Sequence, residues 1–222
     1  MKSCATVPAQ SKRYTNCEEI ANSITHGIGA LLSIAALIAL LLHTSGYGDS
    51  WQMASFTIYG VSLFTLYLAS CLYHSVRGEK LKKIFRHFDH SAIFLLIAGT
   101  YTPVLLIAMR GPWGWTLFAM IWIMAVAGLI YELICLGRYK WISLAIYIAM
   151  GWLAIIAIKP MMVMLPDGLL HWILFGGLLY TGGIVFYVWK RLPFNHAIWH
   201  LFVLGGSTLH FVGIWLHLTP FT

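Results

Sequence analysis

Seven stretches of this chain contain no Asp, Glu, Lys or Arg: residues 20–48, 50–76, 90–109, 111–131, 141–158, 168–189 and 192–222. They run from 18 to 31 residues and cover 168 of the 222 positions. A helix crossing the hydrocarbon needs roughly 20 apolar residues, because in lipid the backbone can hydrogen-bond only within itself. Each stretch accommodates one such helix, and what remains is too short for a separate soluble domain. Only 9% of the residues are charged and 60% are apolar, where soluble proteins carry about 25% charged residues. The expected fold is an all-α membrane protein, a seven-transmembrane-helix bundle over residues 28–222 behind a cytoplasmic N-terminal segment, residues 1–27. A soluble enzyme, a secreted disulfide scaffold and a nucleic-acid binder are excluded.

The net charge of +7 reports topology. Assigning the loops alternately to two sides puts 12 of the 14 Lys and Arg residues on one side and leaves only Arg110 and Lys159 on the other. The positive-inside rule then predicts a cytoplasmic N-terminus and an external C-terminus. The same basic loops can contact anionic headgroups. Cys4, Cys17, Cys71 and Cys135 form no CxxC pair, and no disulfide is expected. The first 27 residues are polar and carry two acids, unlike a cleavable signal, so the first span is expected to stay as an anchor.

Punctuation along the chain sets further expectations. Thr15 or Asn16 suits the N-cap of the first helix, with Glu18 and Glu19 at its positive end. The longest inner connection is read as a basic loop over residues 75–88. Pro112 fits a first helical position. Lys159-Pro160 and Pro166-Asp167-Gly168 are read as bracketing the outer connection between spans 5 and 6, and Asn195 as the N-cap of span 7.

Ionisable groups in or near hydrocarbon are costly, which makes them the first place to look for function. His196 and His200, four residues apart, share one helix face and can grip one metal ion. With ten histidines present, some pair at this spacing arises by chance with odds on the order of 0.4, so topology has to carry the case. His74 closes span 2, Asp89 opens span 3, and the histidine pair opens span 7, all at the cytoplasmic ends of their helices. Ser70 lies one turn deeper than His74 on the same face, and His26 heads span 1 on the same side. Three imidazoles and a carboxylate suit Zn²⁺, which would polarise a carbonyl and activate water for hydrolysis of an amide or ester. The same residues equally suit interfacial positions, bonded to carbonyls or headgroups. His87 and His90 read as supporting or interfacial groups, His210 as a helix-packing hydrogen-bonder, and Glu132 as a snorkelling partner of Arg138 or Lys140.

The segments EEIANSITHGIG, SCLYHS, HFDHSAIFLLIAGTYTP and NHAIWHLFVLGGSTLHF together resemble the progestin and adipoQ receptor superfamily, and most closely its bacterial branch, the hemolysin III family. The resemblance spans nearly the whole chain. It implies a zinc site near the cytoplasmic face of a bacterial inner membrane, with His74, His196 and His200 as ligands. Asp89 would hold and deprotonate the reacting water, and Ser70 would stabilise the oxyanion. It implies a membrane lipid or fatty acyl ligand, with zinc-dependent hydrolysis of a lipid amide or ester, or lipid-state sensing, in membrane homeostasis. A receptor-like sensor with a structural zinc is the non-enzymatic alternative. A cytolysin is disfavoured, because a chain with seven apolar spans is hard to release as a soluble toxin.

The charge asymmetry generates a direct test. Alkaline phosphatase fused after Thr222 should be active in a bacterial host, and the same enzyme inserted after Arg77 should be inactive. The reverse pattern would invert the topology.

Overall fold

The computed structural model describes residues 14–135 and 140–219. Among the described residues, eight α-helices account for seven spans: α1 Asn16–Tyr47, α2 Ser50–Ser75, α3 Glu79–Pro103, α4 Pro112–Cys135, α5 Lys140–Gly151, α6 Ile158–Met164, α7 Leu169–Val188 and α8 Asn195–Leu218. No strand occurs among the described residues. The seven helical segments long and apolar enough to cross a membrane include one that combines α5 and α6 over Trp141–Met164. The fold is the seven-helix bundle expected from the charge-free stretches. Cys17 and Cys71 are free, while Cys4 and the Cys135 side chain lie outside the described residues.

Helix starts follow local chemistry. Thr15 caps α1 through a reciprocal box: its hydroxyl accepts from the Glu18 backbone N–H, and the Glu18 carboxylate accepts from the Thr15 N–H at 2.8 Å. Asp49 and Gln52 form the same box at the head of α2, and α4 begins at Pro112. The α1 helix is continuous through residues 27 and 28, so the polar head and the first apolar span are one rod.

Three local expectations are corrected. The basic stretch 75–88 is not a loop: α3 starts at Glu79, leaving only Val76–Gly78 as a link. Its sequence EKLKKIFRHF mixes strong helix formers with apolar residues at helical spacing, and its charges suit a helix emerging from the hydrocarbon. Lys159-Pro160 does not end span 5. It lies in the first turn of α6, where a missing N–H costs nothing, after a 3₁₀ segment Leu153–Ala157. Asn195 does not cap α8: Phe194 takes that position with a left-handed φ of 54°. The Asn195 side chain instead donates to the carbonyls of Phe186 and Tyr187, pinning the end of α7 to the start of α8.

Irregular backbone inside a membrane must find partners within the protein. The break in span 5 does so through Tyr101, whose hydroxyl donates to Gly151 O at 2.9 Å and accepts from Ala154 N at 3.1 Å. After Pro103, α3 widens into a π-helical turn, Val104–Ala108, in which Met109 N reaches Val104 O.

The packing is uneven. The helices α1, α2 and α3 lie close together, α7 lies against α8, and α8 closes onto α1, whereas α5 and α7 share little close backbone contact. Small residues allow the tight pairs. A Cβ at Gly99 would fall 2.1 Å from Ser62 Oγ, where α3 crosses α2. Gly99→Val should therefore lower stability by about 1–3 kcal/mol, the usual cost of overpacking, read as a fall in the thermal midpoint of the detergent-solubilised protein; an unchanged midpoint would refute the tight crossing.

Candidate metal centre

The end of the bundle that carries the basic loops gathers His74 from α2 with His196 and His200 from α8. One ring nitrogen from each lies within 4.8 Å of the other two. His74 and His200 are buried and His196 half-buried. Spacing four apart turns the α8 pair to one side of their helix, and the approach of α2 supplies the third imidazole.

The hydrogen bonds fix how these rings are presented. His74 Nδ1 donates to Glu19 Oε2 at 2.6 Å, and the other oxygen of Glu19 accepts from Lys82 Nζ at 2.5 Å. His200 Nδ1 donates to the Asn22 carbonyl at 3.2 Å. Both rings are thus held as tautomers whose Nε2 carries a lone pair. The buried Nε2 of His74 and Nδ1 of His196 have no hydrogen-bond partner. A buried nitrogen without a partner costs about 1–3 kcal/mol, and an imidazole oriented by a carboxylate or carbonyl on its other nitrogen is the usual arrangement of a metal ligand. The donor set fits zinc: borderline-soft nitrogen ligands leaving room for a further ligand.

Two further aromatic groups close around the cluster. His26 of α1 is stacked on His200, with centroids 3.4 Å apart, and stands edge-on to Tyr67. Tyr14, just ahead of α1, sets its ring 5.2 Å from that of His196 and 6.1 Å from that of His74. Burial, with Tyr187 close by, pushes the Tyr14 phenol well above the usual tyrosine range, so it stays neutral at any physiological pH.

Asp89 and Ser70 stand apart from the three-nitrogen cluster, but they line the same cavity as His196 and His200. This cavity of about 170 Å³ far exceeds the 10–15 Å³ that admits one water. Because α3 begins at Glu79, Asp89 lies about three turns into the helix rather than opening it. Ser70 Oγ is buried without a hydrogen-bond partner. The cavity passes between α5 and α7, bordered there by Leu144, Ile148, Gly177 and Ile184.

The remaining histidines divide. His210 donates from Nε2 to Ile173 O at 3.1 Å, the packing bond expected of it. Glu132 departs from expectation. It does not snorkel: its side chain is fully buried, with His90 Nδ1 at 3.1 Å and Ser143 Oγ at 3.0 Å. The Arg138 and Lys140 side chains lie outside the described residues. An apolar pocket wall and two nearby donors hold the carboxylate inward.

Sequence reasoning placed His26 on this side of the membrane but missed Glu19, Asn22 and Tyr14 as parts of this centre. The signal for Glu19 and Asn22 was a polar stripe at helical spacing, 15, 18/19, 22 and 25/26, on an otherwise apolar helix.

A polytopic membrane protein with a buried three-histidine cluster opening on an apolar cavity is the class these features define. The chain belongs to the haemolysin-III-related family, whose profile matches residues 14–211. It is 54% identical to Hemolysin-3 of Bacillus cereus over 91% of this chain and 93% of that protein. It is 49% identical to the Hemolysin-3 homolog of Bacillus subtilis (strain 168), over 89% and 93%. The Monocyte to macrophage differentiation factor of Homo sapiens is 33% identical over 95% of this chain and 89% of its own length.

If Glu19 orients His74 for a metal, Glu19→Gln should weaken zinc retention roughly 10–100-fold in a chelator titration of the purified protein. Unchanged retention would reduce Glu19 to a partner of Lys82.

Proposed function

We propose that this protein is a multi-pass zinc hydrolase of the bacterial cytoplasmic membrane, acting on the amide or ester of an acyl lipid. The observation that supports this reading most is the set of three clustered imidazoles, two of them with a buried unpartnered nitrogen, beside an apolar cavity that also carries a carboxylate and a free hydroxyl. A structural zinc alone would not call for the cavity, Asp89 or Ser70.

His74, His196 and His200 hold the metal. When bound, zinc supplies Lewis acidity that polarises a carbonyl and makes water nucleophilic near neutral pH. Asp89, which lines the same cavity, takes a proton from the attacking water. Ser70 Oγ–H donates to the carbonyl oxygen as negative charge develops there, and its lack of any other partner leaves it ready to do so. The apolar cavity orients the acyl chain and keeps bulk water out. The weak contact of α5 with α7 gives a lipid a route in from the bilayer.

Elemental mass spectrometry of the detergent-purified protein is the first test. Wild type should hold about one zinc per chain, and His196→Ala/His200→Ala should hold essentially none. A folded wild type that never met chelator and contains no stoichiometric metal would refute the centre. Asp89→Ala should retain zinc and lose lipid turnover by 10²-fold or more, the range of general-base contributions; full turnover in that variant would sink the role of Asp89.

A further inference from the structure

The cavity has a second polar wall that the reading above leaves unused. Glu132 of α4 is fully buried, and each of its oxygens is engaged, one by His90 Nδ1 at 3.1 Å and the other by Ser143 Oγ at 3.0 Å. His90 keeps 21% of its side chain accessible, and its backbone carbonyl accepts from Tyr147 OH at 2.8 Å. His90, Glu132, Ser143 and Tyr147 line the same cavity as His196, His200 and Asp89. This wall comes from α3, α4 and α5, whereas the three-histidine cluster comes from α2 and α8. Burying a carboxylate in hydrocarbon costs several kcal/mol unless it is paired. A structural role alone would be met as well by an apolar side chain.

A carboxylate bound to Nδ1 of an imidazole fixes the ring's tautomer and orientation and stabilises its protonated form. The opposite ring edge, with Nε2, is then free to exchange a proton with whatever occupies the cavity. Amide hydrolysis needs such a group. The departing amine is a poor leaving group unless its nitrogen is protonated as the C–N bond breaks, and His90, with its Nδ1 held by Glu132, adds a second proton carrier to the cavity wall beside Asp89.

We propose that His90, positioned by Glu132 and Ser143, is the general acid that protonates the leaving amine of a long-chain N-acyl amine. This rests on the hydrolase reading and adds to it the group that protonates the leaving amine. Water oxygen bonds to the acyl carbon while Asp89 takes one water proton. His90 Nε2–H then gives its proton to the amide nitrogen, and the C–N electron pair leaves with the amine. The products are a fatty acid and a free amine, and the proton on Asp89 returns to its neighbour His90 through water in the cavity.

The test compares two probes with one acyl chain, N-palmitoylethanolamine and p-nitrophenyl palmitate, whose nitrophenolate leaves without help. His90→Gln should lose 10²–10⁴-fold in kcat/KM on the amide and less than about threefold on the ester, with zinc content unchanged. Glu132→Gln, closer in shape to the wild type, should show the same split in weaker form. Equal losses on both probes, or no loss on the amide, overturn the acid role while leaving the hydrolase intact. A wild type that cleaves the ester and not the amide does the same. A zinc-loaded wild type that cleaves neither overturns the hydrolase reading and the acid role together.

Discussion

Two neighbouring carboxylates at the head of α1 tie together the end of the bundle where the chemistry gathers. Glu18 accepts from its own cap at Thr15 and from Phe194 N, the residue at which α8 begins. Glu19 accepts from His74 on α2 and Lys82 on α3. One helical turn therefore joins four helices. Charged groups of this kind are expensive near hydrocarbon, so they persist only where every oxygen has a partner. The start of α8 depends on this tie, because Phe194 caps it without a side-chain bond, and the histidine pair lies within two turns of that start.

The fold was legible because hydrocarbon removes choices. With no water to satisfy the backbone, charge-free stretches of spanning length become helices, and the seven spans follow by counting. What periodicity and punctuation could not give was the exact course of the chain where helices are interrupted. Pro160 looked like a terminator, yet a proline in a first turn breaks nothing, and Tyr101 from α3 satisfies the interrupted backbone of span 5. Asn195 looked like a cap, yet its amide found the carbonyls of α7. Both errors come from bonds that cross from one helix to another, over about fifty residues for Tyr101 and across the α7–α8 turn for Asn195, which no single-helix pattern contains.

The site was legible in part for the same reason. His74, His196 and His200 could be placed at one depth from helix rise and charge, and the structure brings them together. Asp89 and Ser70 share their cavity without joining the cluster. Glu132 was misread because its sequence neighbours Arg138 and Lys140 suggested an outward partner, whereas the actual partners, His90 and Ser143, come from helices on either side of α4 in the chain. Which face of an apolar helix turns inward is not written in a sequence that is apolar all round.

The placement of Tyr14 bears on how the protein can be handled. The solvent boundary of the histidine cluster is drawn by an aromatic ring that precedes the first membrane helix and rests on His74 and His196. Affinity tags, truncations or cross-linkers introduced close to Tyr14 act on the cluster itself. Any metal analysis of a protein altered near Tyr14 reads the alteration as well as the site.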